Sequence, residues 1–102
     1  MNENDIKELG KTIITLQKEA VNQTLLFWKP IAEQIINNKS QNINEIEHAL
    51  DALCEVAFDD EVLVIFKKLC RYYYDIDPQA TVEQIRFYRE MWDNNEKKED
   101  DE

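Results

Sequence analysis

The stretch NINEIEHALDALCEVA, residues 42–57, carries the clearest helical pattern of the chain. Its apolar side chains recur every three or four positions, which places them on one face of an α-helix that turns once in about 3.6 residues. They are Ile43, Ile46, Ala49, Leu50, Leu53, Cys54 and Ala57. Asn42 or Asn44 can accept a hydrogen bond from the first turn. We therefore predict a helix whose apolar face lies in a core.

A longer helix is predicted upstream, beginning near Asn4 or Asp5. Its apolar stripe consists of Ile6, Leu9, Ile13, Leu16, Ala20 and Phe27. Further apolar residues widen this stripe on one side, which predicts packing against more than one neighbour. Pro30 lacks a backbone donor and disfavours helical geometry at Lys29, so we expect the helix to end or kink there. A short helix should then lead to an Asn-rich loop at 37–40.

Downstream, the run of acids at 59–61 suits the positive end of a helix dipole and predicts the start of another helix. The next five residues, 62–66, are all apolar, and a buried strand would have the same pattern. Helix is favoured because Leu69, Tyr72 and Tyr73 keep the helical spacing. An all-apolar start indicates a central, buried position for this helix.

The last helix is predicted to begin at Thr81, after a turn that Pro78 enforces. Gln84 follows three residues later, which is the spacing of a capping box. Beyond Trp92 the composition is almost entirely Asp, Asn, Glu and Lys. We therefore predict one helical domain, 1–92, followed by a disordered acidic tail, 93–102.

Glycine and proline usage supports the helical assignment for the whole chain. The 102 residues include one glycine and two prolines, whereas tight β-turns require Gly, Asn-Gly or Pro-Gly sequences. Helical bundles can end their helices with Asn, Asp and Ser instead. The predicted fold class is all-α, a compact bundle of four to five helices.

The formal charge of −10 narrows the classes of partner. Residues 1–30 balance four acids with four bases, whereas 31–58 carry a net charge of −4, 59–92 of −2 and 93–102 of −4. Nucleic acid and anionic membranes both select clustered Lys and Arg, so neither is an expected direct partner. A basic protein surface is the expected one.

Little in the sequence indicates catalysis or a cofactor, so we predict a non-enzyme without one. It has no Gly-rich phosphate loop, and His48 is its only histidine. No export signal or membrane span is visible, so Cys54 and Cys70 should be reduced, buried thiols of a cytoplasmic protein.

One pattern offers a metal site as an alternative. Glu45 and His48 form a Glu-x-x-His unit, which di-iron carboxylate bundles use twice. A single chain has one such unit, but a symmetric dimer would have two. The opposing expectation is that His48 simply lies on a helix surface.

Aromatic residues and arginines crowd the segment 71–92. Tyr, Trp, Arg and Met dominate interface energetics because they bury large areas and keep a polar group. Tyr72, Tyr73 and Tyr74 point about 100° apart on a helix, so at least one of them should face solvent or a partner. The predicted contact residues are Tyr74, Arg86, Phe87, Arg89 and Trp92.

These observations favour a small acidic helical protein-binding module. An inhibitor or immunity-type protein, which docks its carboxylates on the basic site of a nucleic-acid-handling partner, has these properties. The first alternative is a homo-oligomeric structural subunit, for instance a homodimer, in which the C-terminal aromatics form the interface between copies. The second is a dimeric di-iron carboxylate protein that uses Glu45 and His48.

Overall fold

The computed structural model describes residues 3–93. Within that range the chain forms four α-helices and no β-strand. The helices are α1 (Glu3–Asn37), α2 (Ile43–Glu55), α3 (Asp60–Tyr74) and α4 (Pro78–Trp92). The all-α prediction is confirmed, with four helices rather than five. Apart from Asp93, the acidic tail predicted for 93–102 lies outside the described residues.

Pro30 does not end the first helix, because α1 continues through it to Asn37. The expectation of a separate short helix after Pro30 is wrong. A proline inside a helix frees the carbonyl four residues earlier, here that of Leu26. Both residues are on the exposed side, and Leu26 is 82% exposed, so water can bond this carbonyl. Ala32 and Ile35 pack into the core and hold the helix beyond the proline.

The starts of α2 and α3 follow the sequence prediction. Asn42 caps α2 by accepting a hydrogen bond from the backbone N–H of Glu45 at 3.2 Å. Asp59 caps α3 in the same way, accepting from the N–H of Val62 at 3.1 Å. The apolar run 62–66 lies inside α3 and is helical. The preference for helix over strand in this run is confirmed.

The start of α4 differs from the predicted capping box. The helix begins at Pro78, with Asp77 as its N-cap, so Thr81 lies one turn inside it. Thr81 donates its hydroxyl to the carbonyl of Asp77 at 2.9 Å, and Gln84 donates its side-chain amide to Asp51 Oδ1 at 3.2 Å. A proline is well tolerated in the first helical turn, where the missing N–H has no intrahelical partner. Asp77 and Pro78 therefore set the boundary three residues before the predicted one.

The core lies where α2 and α3 pack against each other and against α1 and α4. In the described part of the chain, α1 and α4 each contact both central helices but not one another. Fully buried side chains come mostly from α2 and α3, and Tyr73 is the largest of them. The central position predicted for α3 is confirmed.

The first half of α1, residues 3–19, extends beyond this core and is called the overhang below. All of its described side chains are exposed, with Gly10 partly covered, and the first buried residue of α1 is Val21. The longest dimension of the molecule, 54 Å, matches the roughly 52 Å expected for a 35-residue helix. Within residues 3–93, none of the helices has the length and apolar character that crossing a membrane requires.

Candidate functional site

The five predicted contact residues do not form one patch. Tyr74 and Arg89 line the same groove between α3 and α4. Arg86 forms an ion pair with Glu83, one turn earlier, at 3.2 Å. At 100° per residue, Phe87 points roughly 160° away from Arg89 around the axis of α4. Trp92, at the end of α4, contacts the turn between α2 and α3.

The three consecutive tyrosines divide their roles as helical geometry requires. Tyr72 donates its hydroxyl to the carbonyl of Ser40, and Tyr73 is fully buried and donates to Glu47 Oε2 at 2.6 Å. Tyr74 is 52% exposed. The prediction that at least one of the three faces outward is confirmed.

The groove between α3 and α4 has a volume of about 660 Å³. Phe66 and Tyr88 form part of its wall, with ring centroids 5.7 Å apart. The cations Lys67, Arg71 and Arg89 and the carboxylates Asp75 and Asp93 also line it. Its local charge is therefore close to neutral, unlike that of the whole chain.

Two groups that line this groove have raised pKa values. Burial, with a smaller contribution from Cys54, raises the pKa of the Cys70 thiol to about 12. Burial, with a smaller contribution from Asp93, also raises the pKa of Tyr88. Both groups are therefore neutral at physiological pH and act as apolar wall rather than as nucleophiles. Cys54 and Cys70 are buried and unpaired, as predicted from the sequence.

A second candidate site lies at the turn between α2 and α3. Phe58 and Trp92 meet edge to face, with centroids 5.2 Å apart, and remain 42% and 39% exposed. Trp92 is fixed because its Nε1–H donates to the carbonyl of Cys54 at 2.7 Å. Fixed, half-exposed aromatic rings lose little conformational freedom when a partner covers them.

Carboxylates flank Phe58 in the sequence. Residues 55–61 contain four acids and no base. Glu55 and Asp60 are exposed, whereas Asp59 caps α3 and Glu61 pairs with Lys29 at 3.2 Å. We call Phe58, Trp92, Glu55, Asp59 and Asp60 the aromatic corner. Next to it, a hollow of about 320 Å³ separates Phe58 from Ile14 and Val21 of α1.

Sequence reasoning found one half of the aromatic corner and missed the other. Trp92 was a predicted contact residue, but Phe58 was not singled out. A signal was present, because Phe58 directly precedes two aspartates, at the break between two predicted helices. An aromatic residue in an acidic turn has no core position to fill.

The Glu45–His48 unit lies on the surface of α2. Both side chains are exposed, which confirms the surface position expected for His48. Glu45 accepts a hydrogen bond from the Ser40 hydroxyl at 3.3 Å. Among residues 3–93, no group of three or more His, Cys, Asp or Glu side chains is placed to hold a metal ion.

No protein-family model, no curated protein and no solved structure matches the chain.

Proposed function

We propose that this chain is a protein-binding module that docks on a basic protein surface through its aromatic corner. The observation that carries the proposal is the exposed Phe58–Trp92 pair, in which a hydrogen bond fixes Trp92 and Phe58 lies in an acidic turn. Interface hot spots have this composition, a rigid aromatic centre surrounded by more polar contacts that keep water away from it.

The charges of the corner favour an arginine- or lysine-rich partner. An arginine that lies over an aromatic ring gains a cation–π interaction, and nearby carboxylates such as Glu55 and Asp60 can accept its hydrogen bonds. The net charge of −10 would also attract such a partner over a distance and raise the association rate. The aromatic rings would provide the buried contact, and the carboxylates would select a positively charged partner.

A nucleic-acid-handling protein is the partner class that we favour. Its phosphate-binding site presents clustered Lys and Arg, and a small acidic domain that covers this site prevents nucleic acid from binding. The chain would then act as an inhibitor or immunity-type protein and would need no chemistry of its own.

The test is affinity capture from the native host, with the wild type and Phe58→Ala as parallel baits. We expect the wild type to retain a basic protein and Phe58→Ala to lose at least about tenfold in affinity, as loss of a hot-spot aromatic does. Raising salt from about 0.1 M to about 1 M should weaken capture, because the Debye length falls from about 10 Å to about 3 Å.

Two charge variants with the same net charge separate the corner from the bulk field. Glu55→Gln with Asp60→Asn neutralises the corner, whereas Glu33→Gln with Glu90→Gln neutralises two exposed acids outside it. The first variant should lose the partner and the second should keep it. Equal losses would mean that net charge alone attracts the partner, and the corner would then not be its docking site.

A further inference from the structure

An apolar stripe runs along α1 from the overhang to Phe27, and all of it except Ala20 is exposed. Ile6, Leu9, Ile13, Leu16 and Phe27 are each 49–60% exposed, and Ala20 continues the stripe between them. We call these six residues the seam. Single exposed apolar residues are common on protein surfaces, but a continuous row of them marks an interaction site.

Apart from Ala20, which packs against the core, the seam is separate from the face of α1 that contacts the core. Val21, Trp28, Ala32 and Ile35 contact the core cluster. At 100° per residue, this second stripe lies about a quarter of a turn from the seam. A partner can therefore cover the seam while α1 keeps its contacts with α2 and α3.

The overhang also lacks the intrinsic stability of a free helix. It contains Gly10, two threonines and three isoleucines, all weaker helix formers than Ala or Leu. Isolated helices of about 12–15 residues are marginal in water even when they are Ala-rich. A helical overhang of this composition needs a surface that packs against its seam.

The spacing of the seam selects the kind of surface. Its residues alternate in steps of three and four and occupy positions a and d of a heptad repeat, with Ile6 and Ile13 at a and Leu9 and Leu16 at d. Among parallel coiled coils, isoleucine at a with leucine at d favours a pair of helices over three or four. The repeat covers about three heptads, the shortest length that supports a coiled coil, and Gln23 takes one d position.

Charge also favours a second copy of this chain at the seam. Residues 1–30 carry no net charge, whereas the rest of the chain carries the whole −10. Two copies therefore repel each other least when they meet through α1. In a parallel pair, the flanking g and e positions bring no like charges together: they place Asp5 opposite Gly10, Thr12 opposite Gln17, and Glu19 opposite Thr24.

We infer that the chain forms a homodimer in which the seams of two α1 helices pair as a short, parallel, in-register coiled coil. The two helical bodies then lie at the same end of the dimer and point away from each other. Leu26, which is 82% exposed and occupies a g position, packs beside the seam. This inference does not depend on the aromatic corner, whose residues lie outside the seam.

Sedimentation equilibrium of the full chain, from about 1 µM to about 200 µM, tests the dimer. Leu16→Glu is compared with Val64→Glu, because the two native side chains are equally exposed at 59% and the substitution adds the same charge. We expect the wild type to dimerise and Leu16→Glu to weaken dimerisation more than about tenfold, because a charge would enter the seam. Val64→Glu should dimerise like the wild type.

Two results would overturn the pairing through the seam. One is a wild-type chain that stays monomeric over the whole range, and the other is a dimer that Leu16→Glu and Val64→Glu affect equally. Circular dichroism checks that both variants keep a folded body. The result for Phe58→Ala in partner capture is independent, so either proposal can fail without the other.

Disulfide trapping tests the orientation. A cysteine at d in a parallel, in-register pair faces its own copy, so Leu9→Cys should form a covalent dimer under mild oxidation. Lys11→Cys places the thiol at f, on the outer surface of the coiled coil. This variant should run as a monomer on non-reducing denaturing electrophoresis. The native thiols, Cys54 and Cys70, are buried and provide the common background. A dimer that Leu9→Cys does not trap would contradict the parallel register.

Discussion

The two halves of α1 have the same kind of amphipathic sequence and opposite environments. In the second half, Ala32 and Ile35 are 1% and 2% exposed, whereas in the overhang Leu9 and Leu16 are 53% and 59% exposed. Helix length explains the difference. The 13 residues of α2 and the 15 of α3 span about 20 Å and 22 Å, less than half of the roughly 52 Å of α1. An amphipathic sequence therefore predicts that a helix can bury its apolar face, but the length of the neighbouring helices limits how much of that face is buried.

The two halves of the chain's helical packing should differ most when the same leucine-to-alanine substitution is made in the core and in the overhang. Leu50 in α2 is fully buried, so Leu50→Ala should lower the free energy of unfolding by about 2–5 kcal/mol through lost burial and a cavity. Leu16→Ala in the overhang should change it by less than about 0.5 kcal/mol at low micromolar concentration. Urea unfolding followed by circular dichroism measures both.

Similar losses for Leu50→Ala and Leu16→Ala in the monomer would contradict the division of α1. The overhang would then fold against the body in a single cooperative unit. A loss for Leu16→Ala that appears only at high protein concentration would instead agree with a role for the seam in pairing, because dimerisation stabilises the folded state by mass action.

Most of the fold could be predicted because it depends on local signals. The spacing of Ile46, Leu50 and Leu53 identified α2, and Asn42 and Asp59 identified two helix starts. The continuation of α1 beyond Pro30 could not be anticipated, because the proline predicted an end or a kink there. Local rules give the energetic penalty of a proline, but the core contacts that offset it come from residues distant in sequence.

The candidate site was harder to predict from the sequence than the fold. Residue types drew attention to the segment that holds Trp92, but the aromatic corner also requires Phe58, thirty-four positions earlier. Such a pairing depends on the angle at which α4 crosses the end of α2, and a single sequence does not encode this angle in any local pattern.

High pH should destabilise the core that α2 and α3 build, whereas the overhang has no part in this effect. The folded-state pKa of Cys70, about 12, exceeds its ordinary value of 9.0, so the neutral thiol stabilises the fold fully below pH 9. That stabilisation is lost as pH rises from 9 towards 12. Tyr73 acts in the same direction, because burial and its hydrogen bond to Glu47 raise its pKa. We expect the unfolding free energy to fall steadily above pH 9.

Variants identify the thiol as one source of this alkaline loss. Cys70→Ala should be less stable at neutral pH, because it leaves a small cavity, but its stability should decline less between pH 9 and pH 11. Leu16→Ala, in the overhang, should decline like the wild type. Chemical denaturation at a series of pH values measures these slopes. Equal slopes for Cys70→Ala and the wild type would show that the thiol does not titrate differently in the folded body.

The mildest of these variants is Gly10→Ala, in the overhang. A Cβ built on Gly10 would have no heavy atom within 4 Å, so Gly10→Ala meets no steric obstacle. Alanine favours the helix over glycine by about 1 kcal/mol, and this gain should be confined to the overhang. Ellipticity at 222 nm should therefore rise, dimerisation should tighten, and the urea midpoint of the dilute monomer should stay unchanged. A midpoint that rises by the full helix preference would mean that the overhang unfolds together with the body, because a local gain reaches the global transition only when the two regions are cooperative.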